Sequence, residues 1–110
     1  MSSLSAIEVL GEPTRRQILD RLRDGERSVG ELVDDMGVTQ PTVSKHLRVL
    51  RDSGLVDVRV DAQRRLYRIR PEPLIELDAW LATYRALWTQ SLDRLERQLD
   101  KKTSRRKEPR

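Results

Sequence analysis

The sequence predicts a mainly α fold, an α+β winged helix: a helix-turn-helix with a β-hairpin wing and a long C-terminal helix. Three observations carry this. Residues 28 to 54, SVGELVDDMGVTQPTVSKHLRVLRDSG, hold two helix-period apolar stripes on either side of a tight turn. Residues 55 to 69 then alternate apolar and charged side chains across a polar break, as a hairpin does. Residues 73 to 99 repeat leucine and aromatic residues by threes and fours, the period of one long helix.

Taken in order, Leu4, Ile7 and Leu10 fit a first helix stopped by Gly11, and Pro13 opens a second with Ile18, Leu19 and Leu22 on one side. Ser28 is placed to cap a third helix. Its hydroxyl can accept from the amide of Glu31, whose carboxylate can reach back to close a capping box. Leu32, Val33 and Met36 form the buried stripe of that helix. Gly37 supplies the left-handed turn that a side chain resists, and Thr39 is placed to cap a fourth helix with Pro41 in its first turn. In the fourth helix Val43, Leu47 and Leu50 recur at i, i+4, i+7 and face inward, which leaves Gln40, Thr42, Ser44, Lys45, His46, Arg48 and Arg51 on the outer arc. Val56, Val58 and Val60 alternate in one strand, Asp61-Ala62-Gln63-Arg64 makes a basic, polar tip, and Leu66, Tyr67 and Ile69 continue the return strand. Pro71 and Pro73 end it before the long helix. The segment from Asp100 on, DKKTSRRKEPR, has no apolar residue and reads as a disordered basic tail over 100–110, which leaves 1–99 as one folded domain.

Composition excludes several chemistries. The 110 residues contain no cysteine and one histidine, so a disulfide, a thiolate metal site, a cysteine nucleophile and a multi-histidine site are closed to the chain. There is no glycine-rich phosphate loop and no catalytic set, so the chain reads as a non-enzyme without cofactor or metal. No apolar run approaches the roughly 18 to 20 residues of a membrane span, and the first ten residues lack a secretory pattern, so the expected location is the cytoplasm.

Charge placement says more than the net +4. Lys101, Lys102, Arg105, Arg106, Lys107 and Arg110 against Asp100 and Glu108 already account for that total. Residues 39 to 70 carry Lys45, Arg48, Arg51, Arg59, Arg64, Arg65, Arg68 and Arg70 against Asp52, Asp57 and Asp61. A basic excess is thus concentrated on the fourth helix and the hairpin, as a polyanion-binding edge requires.

The chain resembles the ArsR/SmtB transcriptional repressors over about residues 4 to 99. The resemblance rests on LGEPTRRQILDRL (10 to 22), on GELVDDMGVTQPTVSKHLRVLRDSGLV (30 to 56) and on the return strand RRLYRIRP (64 to 71), and TQPTVSKHLRVLRDSGLV is its most specific part. It implies a homodimer built from the first and last helices, repressing transcription from an inverted-repeat operator in double-stranded DNA. The family pattern and the outer arc give the same roles. Thr39 and Gln40 open the reading helix; Gln40 suits an adenine or a phosphate, Thr42 a thymine methyl, Lys45 and His46 guanine acceptors. Ser44 and Arg48 suit phosphates, and Gln63, Arg64 and Arg65 at the hairpin tip suit the flanking backbone or a minor groove. Leu4, Ile7, Leu77, Leu81, Tyr84 and Trp88 are the expected dimer contacts.

The sequence departs from the metal-sensing members. Their thiolate site in the third helix falls here on Ser28 and Gly30, and the last helix offers Glu76, Asp78 and Glu96 without a histidine. The final helix looks more like members that repress their own promoter without a metal. Two other readings stand beside this one: a repressor released by an organic ligand near Trp80, Tyr84 and Trp88, and a nonspecific architectural or protein-interaction module.

Overall fold

The computed structural model describes residues 3–107, with side chains described for residues 6–101. The described residues form six helices and a three-stranded antiparallel sheet. In order they are α1 (Ser3–Leu10), α2 (Pro13–Leu22), β1 (Arg27–Ser28), α3 (Val29–Met36), α4 (Gln40–Asp52), β2 (Val56–Asp61), β3 (Arg64–Ile69), α5 (Glu72–Ala82) and α6 (Arg85–Lys107). The expected winged helix is therefore present, and the sheet order is β1-β3-β2. The chain divides into two compact units, with the boundary between Asp78 and Ala79.

The first unit is held by one apolar cluster. Ile18, Leu19 and Leu22 of α2, Leu32 of α3 and Val43, Leu47 and Leu50 of α4 are buried against Leu55, Val56 and Tyr67. These are inward positions that the helical periods select, but of the α3 stripe only Leu32 is buried, while Val33 and Met36 are half-buried against the cluster. Removing a leucine from such a cluster costs about 2 to 5 kcal/mol, because the site cannot fully collapse around the cavity. In α1 the fully buried residue is Ala6, while Ile7 and Leu10 are half-buried; the side chain of Leu4 lies outside those described.

Local signals set the ends of α3 and α4. Ser28 Oγ accepts from the Glu31 amide at 3.1 Å and Glu31 Oε1 accepts from the Ser28 amide at 2.9 Å, which is the capping box read from the spacing. Gly37 ends α3 at φ 68°, with its amide on the Val33 carbonyl at 3.0 Å. The end of α4 is a Schellman motif. Gly54 at φ 80° donates to the Arg51 carbonyl, Leu55 donates to the Leu50 carbonyl, and both leucines are buried in the cluster. The helix end thereby aims β2 back across the core.

Three expectations are corrected. A two-residue strand, β1, pairs Arg27 with Tyr67 and Ser28 with Leu66. No alternation can be seen in two residues, so the sequence reading had only a helix cap there. The long helix predicted for 73 to 99 is two helices. The amides of Thr83 and Tyr84 bond back three residues, to Trp80 and Leu81, and the Thr83 hydroxyl also donates to the Trp80 carbonyl at 2.7 Å. That carbonyl is taken up by Thr83, and α5 stops at Ala82. Finally, α6 continues to Lys107, through residues whose composition suggested a disordered tail. Lys and Arg are good helix formers, and no glycine or proline interrupts the run before Pro109. Lack of apolar residues rules out a packed core but leaves a solvated helix possible.

The second unit has no buried side chain among residues 79 to 101. Trp80 and Tyr84 meet edge to face at 5.2 Å between ring centroids. Both rings stay substantially exposed, as do Leu87, Trp88, Leu92, Leu95 and Leu99.

Candidate nucleic-acid interface

Burial of Val43, Leu47 and Leu50 rotates α4 so that Gln40, Ser44, Lys45, Arg48 and Arg51 are exposed together, with Thr42 and His46 half-buried at the margin. Thr39 occupies the cap position, but its hydroxyl does not cap the helix; it pairs with the Thr42 hydroxyl at 2.9 Å. The backbone carbonyl of Thr39 still accepts from Val43 at 3.1 Å, so α4 starts as expected. His46 leans onto α2. Its Nδ1 accepts from Arg15 Nε at 3.4 Å, while Arg15 also donates to the Val9 carbonyl at 3.0 Å. Arg15 therefore ties α4 to the end of α1. A ring accepting at Nδ1 carries its proton on Nε2 and offers that nitrogen as a donor.

The wing pairs β2 with β3 from Val56↔Ile69 to Asp61↔Arg64, leaving Ala62 and Gln63 as a two-residue connection. Ala62 takes φ 58°, a conformation that costs a side chain and suits glycine at the first position of such turns. Burial declines along β2 from Val56 to Val60, which is 70% exposed, so the hairpin tip projects away from the core. Gln63, Arg64 and Arg65 are all exposed on it.

Alternation along β3 sends Arg64 and Arg65 to opposite faces, and the ion pairs follow those faces. On the Arg64 face, Arg59 forms a two-point bond with Glu26 at 2.7 and 2.8 Å, Arg68 pairs with Asp57 at 3.3 Å, and Arg64 lies 3.9 Å from Glu31. Arg70 pairs with Glu72 at 3.8 Å. On the other side Arg65 borders a cleft of about 670 Å³ with Ser44, Leu47, Arg48, Arg51, Asp52 and Tyr67. Lys45, Arg48, Arg51 and Arg65 take part in none of the ion pairs formed among the described residues. Of the eight basic residues from 39 to 70, four thus lie beside a carboxylate and four are in no ion pair among the described residues.

The carboxylates that hold this framework are tuned toward the charged form. Glu31 lies below the usual glutamate range, chiefly because the Ser28 amide donates to it. Hydrogen bonding from the Arg59 guanidinium does the same to Glu26, and raises Arg59 in return. Glu12 is lowered first by the Thr14 amide, at the start of α2.

Sequence reasoning placed Gln40, Ser44, Lys45 and Arg48 on one exposed arc, where they stand. It counted Arg51 and Arg59 only in the basic excess of 39 to 70 and gave Glu26 no role; Glu26 and Arg59 meet across 33 residues of chain, a relation no local pattern encodes. Among the described residues no three His, Cys, Asp or Glu side chains converge as a metal site, and no helix is long and apolar enough to cross a membrane.

With this geometry, the similarities to known proteins are specific. Residues 12–58 match the model of the arsR family of bacterial regulatory proteins. An HTH-type transcriptional regulator of Mycobacterium tuberculosis is 40% identical over 87 residues, 79% of this chain and 78% of that protein. The biofilm growth-associated repressor of Xylella fastidiosa is 41% identical over 63 residues, covering 57% of this chain and 55% of that repressor. The crystal structure of an ArsR family transcriptional regulator superposes with a TM-score of 0.69 at 33% identity, covering 81% of this chain and 97% of that one. The chain belongs to the ArsR/SmtB family of winged helix-turn-helix transcriptional repressors, and is a DNA-binding regulator of transcription, not an enzyme.

Proposed function

We propose that the protein is a homodimeric repressor that reads an inverted-repeat operator, its own promoter included, and that no metal ion relieves it. The observation that carries this reading is the outer arc of α4: Gln40, Ser44, Lys45 and Arg48 are exposed together, and neither cation takes part in an ion pair among the described residues. Gln40 and Lys45 supply base reading from the major groove, with Thr39, Thr42 and the Nε2 proton of His46 at its margin. Ser44, Arg48, Gln63, Arg64 and Arg65 supply phosphate contacts that set register. Arg64 is the weaker of the two wing arginines in this role, because Glu31 already draws on its charge.

Two copies give the two-fold symmetry that an inverted repeat mirrors. Ile7, Leu77 and Leu81 are half-buried, and Tyr84 and Trp88 are 44% and 39% exposed, so these residues retain apolar surface for a second copy. Leu4 belongs with them by its helical spacing. Metal independence is supported by chemistry: Ser28, which replaces a thiolate, is committed to the capping box, and the chain has no cysteine. A regulator of promoters acts where the DNA is, which puts it in the cytoplasm of a bacterial cell.

The test is a titration of the full chain against its upstream promoter duplex and a scrambled duplex at physiological salt, with and without chelator. Preferential promoter binding that chelation leaves unchanged is the expected result; equal binding to both duplexes would refute sequence reading of that promoter. Gln40→Ala is expected to cost about 1 to 3 kcal/mol of promoter binding and to relax base preference.

A further inference from the structure

The cleft between α4 and β3 does something that base reading does not require. Arg48, Arg51 and Arg65 line it together with Ser44, and Asp52 is the one acidic residue on its wall. Three guanidiniums beside one carboxylate repel one another, and none of the three takes part in an ion pair formed among the described residues. The contrast with the other face of the same hairpin is direct. There Arg59, Arg64 and Arg68 each face an acidic residue. The fold thus provides carboxylates for one set of arginines and places the other set along one cleft.

Two elements, far apart in sequence, make the arrangement rigid. Arg48 and Arg51 project from α4 one turn apart, on a helix fixed by Leu47 and Leu50 in the core. Arg65 stands on β3 beside Tyr67, which is 9% exposed and packs in the same core. Guanidiniums are planar forks that bind the paired oxygens of a phosphoryl group, and the Ser44 hydroxyl adds a donor.

We propose that this cleft is a phosphate seat: Ser44, Arg48, Arg51 and Arg65 together bind one phosphoryl group. Arg51 is its added member, a cation for which base reading has no use. The inference rests on the DNA-binding reading for its context, but the ligand chemistry is that of a phosphate, whether a backbone phosphodiester or a free phosphorylated molecule.

The experiment compares the full chain with Arg51→Met, Arg65→Met and Gln40→Ala, and uses Arg23→Met, at the C-terminal cap of α2, as an equal loss of charge away from the cleft. Promoter binding is measured across a salt series. Arg51→Met and Arg65→Met are each expected to weaken binding about tenfold. Each is also expected to lower the salt slope by about one, with base preference unchanged, and Arg23→Met to do neither. In a second arm, pyrophosphate is titrated into the DNA-free protein at ionic strength held constant with chloride. Saturable binding that Arg51→Met abolishes identifies a seat open to free phosphorylated ligands; no pyrophosphate binding beside a lowered salt slope identifies a backbone phosphate. The proposal is overturned if Arg51→Met leaves salt slope and pyrophosphate binding unchanged while Gln40→Ala still relaxes base preference. If Gln40→Ala also has no effect, the base-reading function fails with it.

Discussion

The two units of this chain are built on opposite principles. Residues up to Asp78 bury leucine, isoleucine and valine from α2, α3, α4 and the sheet in one cluster, whereas residues 79 to 101 bury nothing and leave two tryptophans, a tyrosine and four leucines substantially exposed. Both units contain helices with apolar stripes, so the presence of such a stripe does not distinguish them. The difference lies in where each apolar stripe finds cover. Stripes in the first unit cover one another; those of α6 have the same period and no cover within their own unit. A helix that exposes so much apolar surface depends on association for much of its stability.

The largest effect expected from that contrast concerns the second unit. Leu81→Glu with Trp88→Glu is expected to give monomers by sedimentation and to weaken promoter binding about 10²-fold or more, since two half-sites are no longer held by one particle. The core of the first unit should melt as before. A dimer that survives would move the interface off these helices, and loss of the first unit's fold would break the contrast. Leu47→Ala should do the converse, lowering the unfolding free energy of the first unit by about 2 to 5 kcal/mol in denaturant titrations.

A smaller effect isolates the turn. Gly37 sits at φ 68°, and a Cβ built there meets nothing within 4 Å, so Gly37→Ala adds backbone strain without a clash. The expected loss is about 1 to 2 kcal/mol of stability in the first unit, with no change in sedimentation.

The smallest effect is with acid. Glu12, Glu26 and Glu31 titrate below the ordinary glutamate value of 4.5 when folded, so their contribution is full above that value and is lost as pH falls through their lowered folded values. All three lie in the first unit. Acid titration followed by amide exchange should loosen the wing and the α3 cap there before it affects α6; simultaneous loosening would show that the two units share their stability.

Much of the first unit is legible in the chain because its signals are local. The capping box at Ser28, the left-handed Gly37 and the i, i+4, i+7 stripe of Val43, Leu47 and Leu50 each act within a few residues, and each stands as the spacing predicts. Signals that compete locally were harder to read. An otherwise unbroken heptad-like stripe is divided into two helices where the Thr83 and Tyr84 amides bond three residues back, and the Thr39 hydroxyl takes Thr42 instead of an amide. The helical run to Lys107 was missed because hydropathy reports packing and not backbone preference.

The sequence by itself determined the fold class, the outer arc of α4 and the absence of thiolate chemistry, since these follow from residue type and short-range period. Tertiary structure alone decided which cations are spent and which are available. Glu26 reaches Arg59, His46 reaches Arg15, and Arg65 joins Ser44, Arg48 and Arg51 because a hairpin folds back beside a helix. Charge is a property of residues, but pairing depends on distance, and distance between remote residues exists only once the chain has folded.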